Sequence, residues 1–144
     1  MSPLFHGHDH LPSLAELGPQ LDEVVKSVAA KPVEQFAAEL MTRYFTTDWL
    51  VASQITDMVA VDTISWDLLP DNSGEHLGDP IPDAFFTLQD MITEGVQLLQ
   101  NAGLVMERSY RVTQSQWLTG LVTTRRGRAA LTNGTIAQIL TPPG

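Results

Sequence analysis

The sequence predicts a mainly α-helical domain with one small antiparallel β-hairpin. Apolar residues recur at steps of three and four through much of the first hundred positions, the repeat that lines one face of a helix. Two strand-like runs, LVMERSYRV (104–112) and WLTGLVTT (117–124), then flank the polar tip TQSQ, a hairpin pattern. Finally, 144 residues with 43% apolar content are enough for one real hydrophobic core.

Residues 1–12 read as an irregular leader, interrupted by Pro3, Gly7 and Pro12, and one domain is expected over 13–140. Leu14, Leu17, Leu21, Val24, Val25 and Val28 predict a first helix. Ser13 with Glu16 forms a capping-box pattern, but Gly18-Pro19 also permits a start at Pro19. Lys31-Pro32 closes that helix and opens the next, because proline suits a first helical turn. Val33, Phe36, Ala37, Leu40, Met41 and Tyr44 give its apolar stripe. Thr46-Thr47-Asp48 reads as a break and an N-cap for a third helix, from Trp49 to about Ala60. Ile64, Trp66 and Leu68 alternate with polar residues and suggest a short strand.

PDNSGEHLGDPIP (70–82) is a loop, and Pro82-Asp83 opens the longest helix, to about Ala102. Phe85, Leu88, Ile92, Val96, Leu99 and Ala102 face inward. Gln89, Asp90, Thr93, Glu94, Gln97 and Asn101 face outward, and Gly103 stops the helix. After the hairpin, Thr124 can cap a short helix over Arg125–Thr132, and Thr135 a last turn over Ile136–Leu140.

Composition excludes several function classes. There is no cysteine, hence no disulfide framework, thiol nucleophile or thiolate zinc site. No apolar run approaches the roughly 20 residues of a membrane span. The N-terminus lacks the pattern of a signal peptide, so the expected location is cytoplasmic. The net charge is −9, unevenly placed. Residues 1–100 carry −13, and residues 101–144 carry +4 from five arginines against Glu107. The two halves can attract each other, or the arginines can serve a partner.

The order Asn101-Ala102-Gly103-Leu104-Val105, strand, polar tip, strand, TTRRGRAAL resembles the second half of a winged helix-turn-helix domain. In that family a long helix ends in such a stop, two strands form the wing, and a threonine-capped turn packs back on the core. The resemblance implies a winged-helix-like single domain with an extra N-terminal helix, and implies that 83–102 is the recognition helix. Gly127, Ala129 and Ala130 fit a short helix lying close to its neighbour.

Two departures bear on function. About 20 residues, Val61 to Ile81, separate the third and fourth predicted helices, where the family has a short turn. And the outward face of the long helix offers Gln89, Gln97, Gln100 and Asn101 beside Asp90 and Glu94, with no basic residue. Those carboxylates repel a phosphate backbone, so reading DNA through this helix is disfavoured. Arg108 and Arg111 on the wing can still touch phosphate or a minor groove.

The candidate binding residues are therefore Gln97, Asn101, Arg108, Arg111, Trp117, Arg125, Arg126 and Arg128. Trp117 adjoins the hairpin tip, where an aromatic can anchor a partner. Arginines at a helix start oppose the helix dipole, so Arg125, Arg126 and Arg128 should answer to acids of the chain's own first half, to an acidic partner or to phosphate.

Catalysis has no recognisable motif here: no Gly-rich phosphate loop, no G-x-S-x-G and no H-E-x-x-H. The remaining chemistry lies in HGHDH. His6, His8 and His10 alternate and would point the same way in an extended segment, and His76 could complete a zinc site if its loop folded onto them. The sequence thus favours a non-catalytic interaction module with a regulatory or adaptor role, without cofactor, binding a protein partner. The alternatives are a dimeric DNA-binding regulator, an acidic inhibitor of a nucleic-acid-binding protein, and a small metal-dependent enzyme.

Overall fold

The computed structural model describes residues 18–46, 49–51, 56–69, 81–115 and 117–141. Six helices and three strands follow in order among them: α1 (Gly18–Ala29), α2 (Val33–Tyr44), β1 (Trp49–Val51), α3 (Thr56–Asp67), α4 (Asp83–Asn101), β2 (Val105–Arg111), β3 (Trp117–Thr123), α5 (Arg125–Asn133) and α6 (Ile136–Leu140). The strands form one antiparallel sheet in the order β1-β3-β2. The hairpin predicted from the sequence is β2-β3, with Val105 opposite Thr123 and Arg111 opposite Trp117.

Two elements differ from expectation. Trp49, Leu50 and Val51 are a strand paired with Leu121, Gly120 and Thr119, not the start of a helix. Their partner lies some seventy positions away, so no local periodicity reports it. The third helix instead begins at Thr56 and runs through Ile64 and Trp66, where the alternation suggested a strand. Ala60, Val61 and Ile64 are buried at helical spacing. Trp66, the alternating aromatic, lies with its ring centroid 4.9 Å from that of Phe85. Because α3 continues to Asp67, the connection to α4 is shorter than the sequence suggested. The first helix starts at Gly18, and the Ser13–Leu17 part of the expected element lies outside the described residues.

The long helix α4 is the hub. It packs on α1, α2, α3 and β2, because Phe85, Leu88, Ile92, Val96 and Leu99 repeat at steps of three and four and are all buried. Phe36, Leu40 and Met41 of α2 and Leu121 of β3 complete the same core. At the end of α4, Gly103 adopts φ 74°, the left-handed conformation that a Cβ disfavours. Gly103 N–H donates to Gln100 O and Leu104 N–H to Leu99 O, both at 3.0 Å. This pair of bonds satisfies carbonyls the helix end leaves open, with Leu104 and Leu99 both fully buried.

The chain returns to this point after the wing. Thr124 N–H donates to Leu104 O at 3.0 Å. The Thr124 hydroxyl accepts from Gly127 N–H at 2.9 Å and so caps α5. Gly127 sits against the chain it returns to: a Cβ there would lie 2.2 Å from Leu104 O and 2.9 Å from Met41 Cε. Ala130 is buried as expected of a close-packed face, while Ala129 is exposed. The helices, the wing and the β1–β3 pairing give a mainly helical, winged helix-turn-helix-like fold with α1 added before it.

Candidate functional site

The surface in the position of a recognition face is the outer side of α4. Phe86, Asp90, Thr93, Glu94, Gln97 and Asn101 are all exposed there. Helical spacing sets Phe86 and Asp90, Asp90 and Glu94, and Gln97 and Asn101 one turn apart. Gln97 Nε2 donates to Asn101 Oδ1 at 3.2 Å, so these two candidates form one polar unit. Gln89 turns aside and donates to Asp62 Oδ1 of α3 at 3.1 Å. Three carboxylates, Asp83, Asp90 and Glu94, and no Lys, Arg or His occur along Asp83–Asn101.

The wing follows α4 in the chain, and β2 packs against that helix. Arg108 stands opposite Gly120, and Arg111 opposite Trp117 at the end of the ladder next to the connecting turn. Both arginines are exposed, as are Met106 at 43% and Val112 at 52%. Trp117 is placed by its strand register alone.

The α5 arginines divide. Arg128 Nη1 donates to Thr123 O at 2.8 Å, across the turn that starts its own helix. That bond gives Arg128 a fold-stabilising role. Arg125 and Arg126 are exposed. The Arg126 side chain passes Gly103, its Cδ 3.9 Å from where a glycine Cβ would be, at the C-terminal end of α4. A cation suits that end of a helix dipole, which offsets its poor placement at the start of α5. Ion pairs among the described residues include Lys26–Glu23, Lys31–Glu39 and Arg43–Asp67, each within the acidic first half. None of them is the expected pairing of the α5 arginines with that half.

No family model matches the chain, and no curated protein and no solved structure matches it either. The fold therefore rests on the elements themselves.

His6, His8, His10 and His76 lie outside the described residues. Among the described residues no group of three or more His, Cys, Asp or Glu side chains could hold a metal ion. None of the described helices is long and apolar enough to cross a membrane.

The sequence did not point to Phe86. It is 52% exposed beside Phe85, which is 2% exposed. Its four-residue step to Asp90 was the available signal, masked by the double phenylalanine. A groove between α1 and α2 also escaped notice. It has a volume near 810 Å³ and a floor that includes Val24, Val28 and Leu40. At its edge Tyr44 OH and Arg43 Nη2 both donate to Asp67 Oδ2. Burial, then the hydrogen bond to Asp67 and its charge, hold the Tyr44 hydroxyl protonated well above the usual tyrosine range, with Arg43 opposing weakly.

Proposed function

We propose that this chain is a non-catalytic winged-helix interaction module with a regulatory or adaptor role. It binds a protein partner through the outer face of α4 and the adjoining wing. One observation carries the reading: the helix in the recognition position bears three carboxylates and no base along its nineteen residues. Phosphate affinity depends on neutralising cations, and this helix supplies the opposite sign. A protein surface with cations and an apolar pocket suits Asp90, Glu94 and the exposed Phe86 better. Net charge −9 supports the same choice.

A second reading, DNA binding, has Arg108 and Arg111 in its favour, because both are exposed on the wing. Fluorescence anisotropy with labelled duplex DNA separates the two. DNA binding through the wing predicts affinity that falls steeply from roughly 50 to 200 mM salt and weakens in Arg108→Ala/Arg111→Ala. The protein-binding reading predicts no such affinity. It also predicts that baits of the parent chain retain from native lysate a protein that an Asp90→Lys/Glu94→Lys bait releases. Tight, salt-dependent duplex binding with no such protein would overturn it.

A further inference from the structure

Along α4 the charge is segregated. Asp83, Asp90 and Glu94 occupy its first two-thirds, and Arg126 flanks its C-terminal end beside Gly103, with Arg125 next to it. Glu94 lies nine residues before Gly103, about 13 Å along the axis at 1.5 Å per residue. An arginine side chain does not span that distance, so the basic end of α4 cannot reach the acids of its own helix. No ion pair joins Arg125 or Arg126 to a carboxylate among the described residues. Each end of this surface thus lacks a complement that the other end would supply.

A two-fold axis supplies it. When two copies lay their α4 helices side by side and antiparallel, the acidic stretch of each meets the arginine end of the other. The contact is isologous: Asp90 and Glu94 face the partner's Arg125 and Arg126, and the reverse holds by symmetry. The axis falls near Gln97, midway between the two charged zones. The helix dipoles are also opposed in this arrangement. Phe86, one turn before Asp90, then extends past the partner's Arg126 toward the start of its wing, where Met106 is 43% exposed.

We propose that the α4 face binds a second copy of this chain in this antiparallel, two-fold manner. The inference rests on reading the α4 face as a contact surface, and it names the partner. Magnitudes limit its strength. A strip about 27 Å long and about 10 Å wide covers roughly a third of the ~800 Å² per partner of a stable interface. The wing must share the contact, and association is weak and concentration-dependent. The charge of −9 on each chain opposes it at long range. At physiological ionic strength the Debye length is about 8 Å, so charges in contact outweigh distant ones.

Sedimentation velocity over a concentration series tests the proposal. The parent mass should rise from 15.8 kDa toward twice that value as concentration increases. Asp90→Lys/Glu94→Lys and Arg125→Glu/Arg126→Glu should each stay monomeric alone, because each places like charges across the axis. An equimolar mixture of the two should dimerise, since both contacts are again opposite in sign. That recovery also shows both variants to be folded. A parent monomeric at every concentration, or variants that dimerise as well as the parent, would overturn the proposal. A monomeric parent that still retains a lysate protein through Asp90 and Glu94 would remove self-association alone and leave the protein-binding reading standing.

Discussion

The Thr124 hydroxyl donates to the Gly103 carbonyl at 2.6 Å. One side chain thereby joins the loop that ends α4 to the residue that starts α5. It also accepts from Gly127 N–H, so it satisfies a helix start and a helix stop together. This joint holds Arg126 at the C-terminal end of α4.

Thr124→Ala removes both bonds. Loss of an N-cap side chain costs about 1 kcal/mol, and the Gly103 carbonyl loses a hydroxyl donor as well. The variant should unfold at lower urea than the parent with an unchanged slope. Thr124→Ser keeps the oxygen and should retain most of the stability. Equal loss in both would place the role of Thr124 in its methyl group.

Gly127→Ala should be the more damaging change. Its new Cβ would meet Leu104 O at 2.2 Å and Thr123 Cγ2 at 2.8 Å. Backbone oxygen does not swing away like the end of a long side chain, so α5 must move. Overpacking of this kind costs about 1–3 kcal/mol. Gly18→Ala is the control. Outside its chain neighbours it meets nothing within 4 Å at the start of α1, so it should cost much less than Gly127→Ala. Thermal unfolding of the pair checks both.

Tyr44 gives a pH dependence. Its folded-state pKa is raised above the ordinary tyrosine value of 10.0, so the folded chain binds the proton more tightly than the unfolded chain. The resulting stability is fully present below pH 10 and is lost as the pH climbs from there toward the folded pKa. Tyr44→Phe removes the titrating group. It should lower stability near neutrality by about 1 kcal/mol through the lost bond to Asp67 and flatten the alkaline decline. Urea midpoints at pH 8 and pH 11 measure it, and an undiminished decline in Tyr44→Phe would assign the alkaline loss to other groups.

Much of this fold was legible because it is local. The α4 boundaries, the Gly103 stop, the Thr124 cap and the hairpin's polar turn each rest on residues within a few positions of one another. What escaped was nonlocal. β1 exists through its pairing with Thr119–Leu121, and with that partner unseen the spacing Trp49, Ala52, Ile55, Val59 reads as a helix. Ile64 and Trp66 alternate like a strand, but Trp66 meets Phe85 of α4 from a helix. At the candidate site, the missing bases on α4 were plain in the sequence. The placement of Arg126 beside Gly103 was not, because it depends on the chain's return after the wing. The Arg128 bond to Thr123 O was hidden for a different reason: a charge count assigns an arginine to a carboxylate, and here a backbone carbonyl takes it.

Phe85 and Phe86 provide the sharpest contrast between packing and contact. Phe85 is 2% exposed and Phe86 is 52% exposed, on adjacent positions of one helix. Phe85→Ala should cost about 3–5 kcal/mol, the range for emptying an aromatic core site. Phe86→Ser should change stability by no more than about 0.5 kcal/mol, as for surface positions without special partners. Yet if the outer α4 face is a contact surface, Phe86→Ser should weaken self-association or partner retention while leaving the urea midpoint unmoved. Paired unfolding and sedimentation measurements on the same samples decide it. A large stability loss in Phe86→Ser would mean that this side chain completes the chain's own core, and an unchanged association would remove Phe86 from the contact.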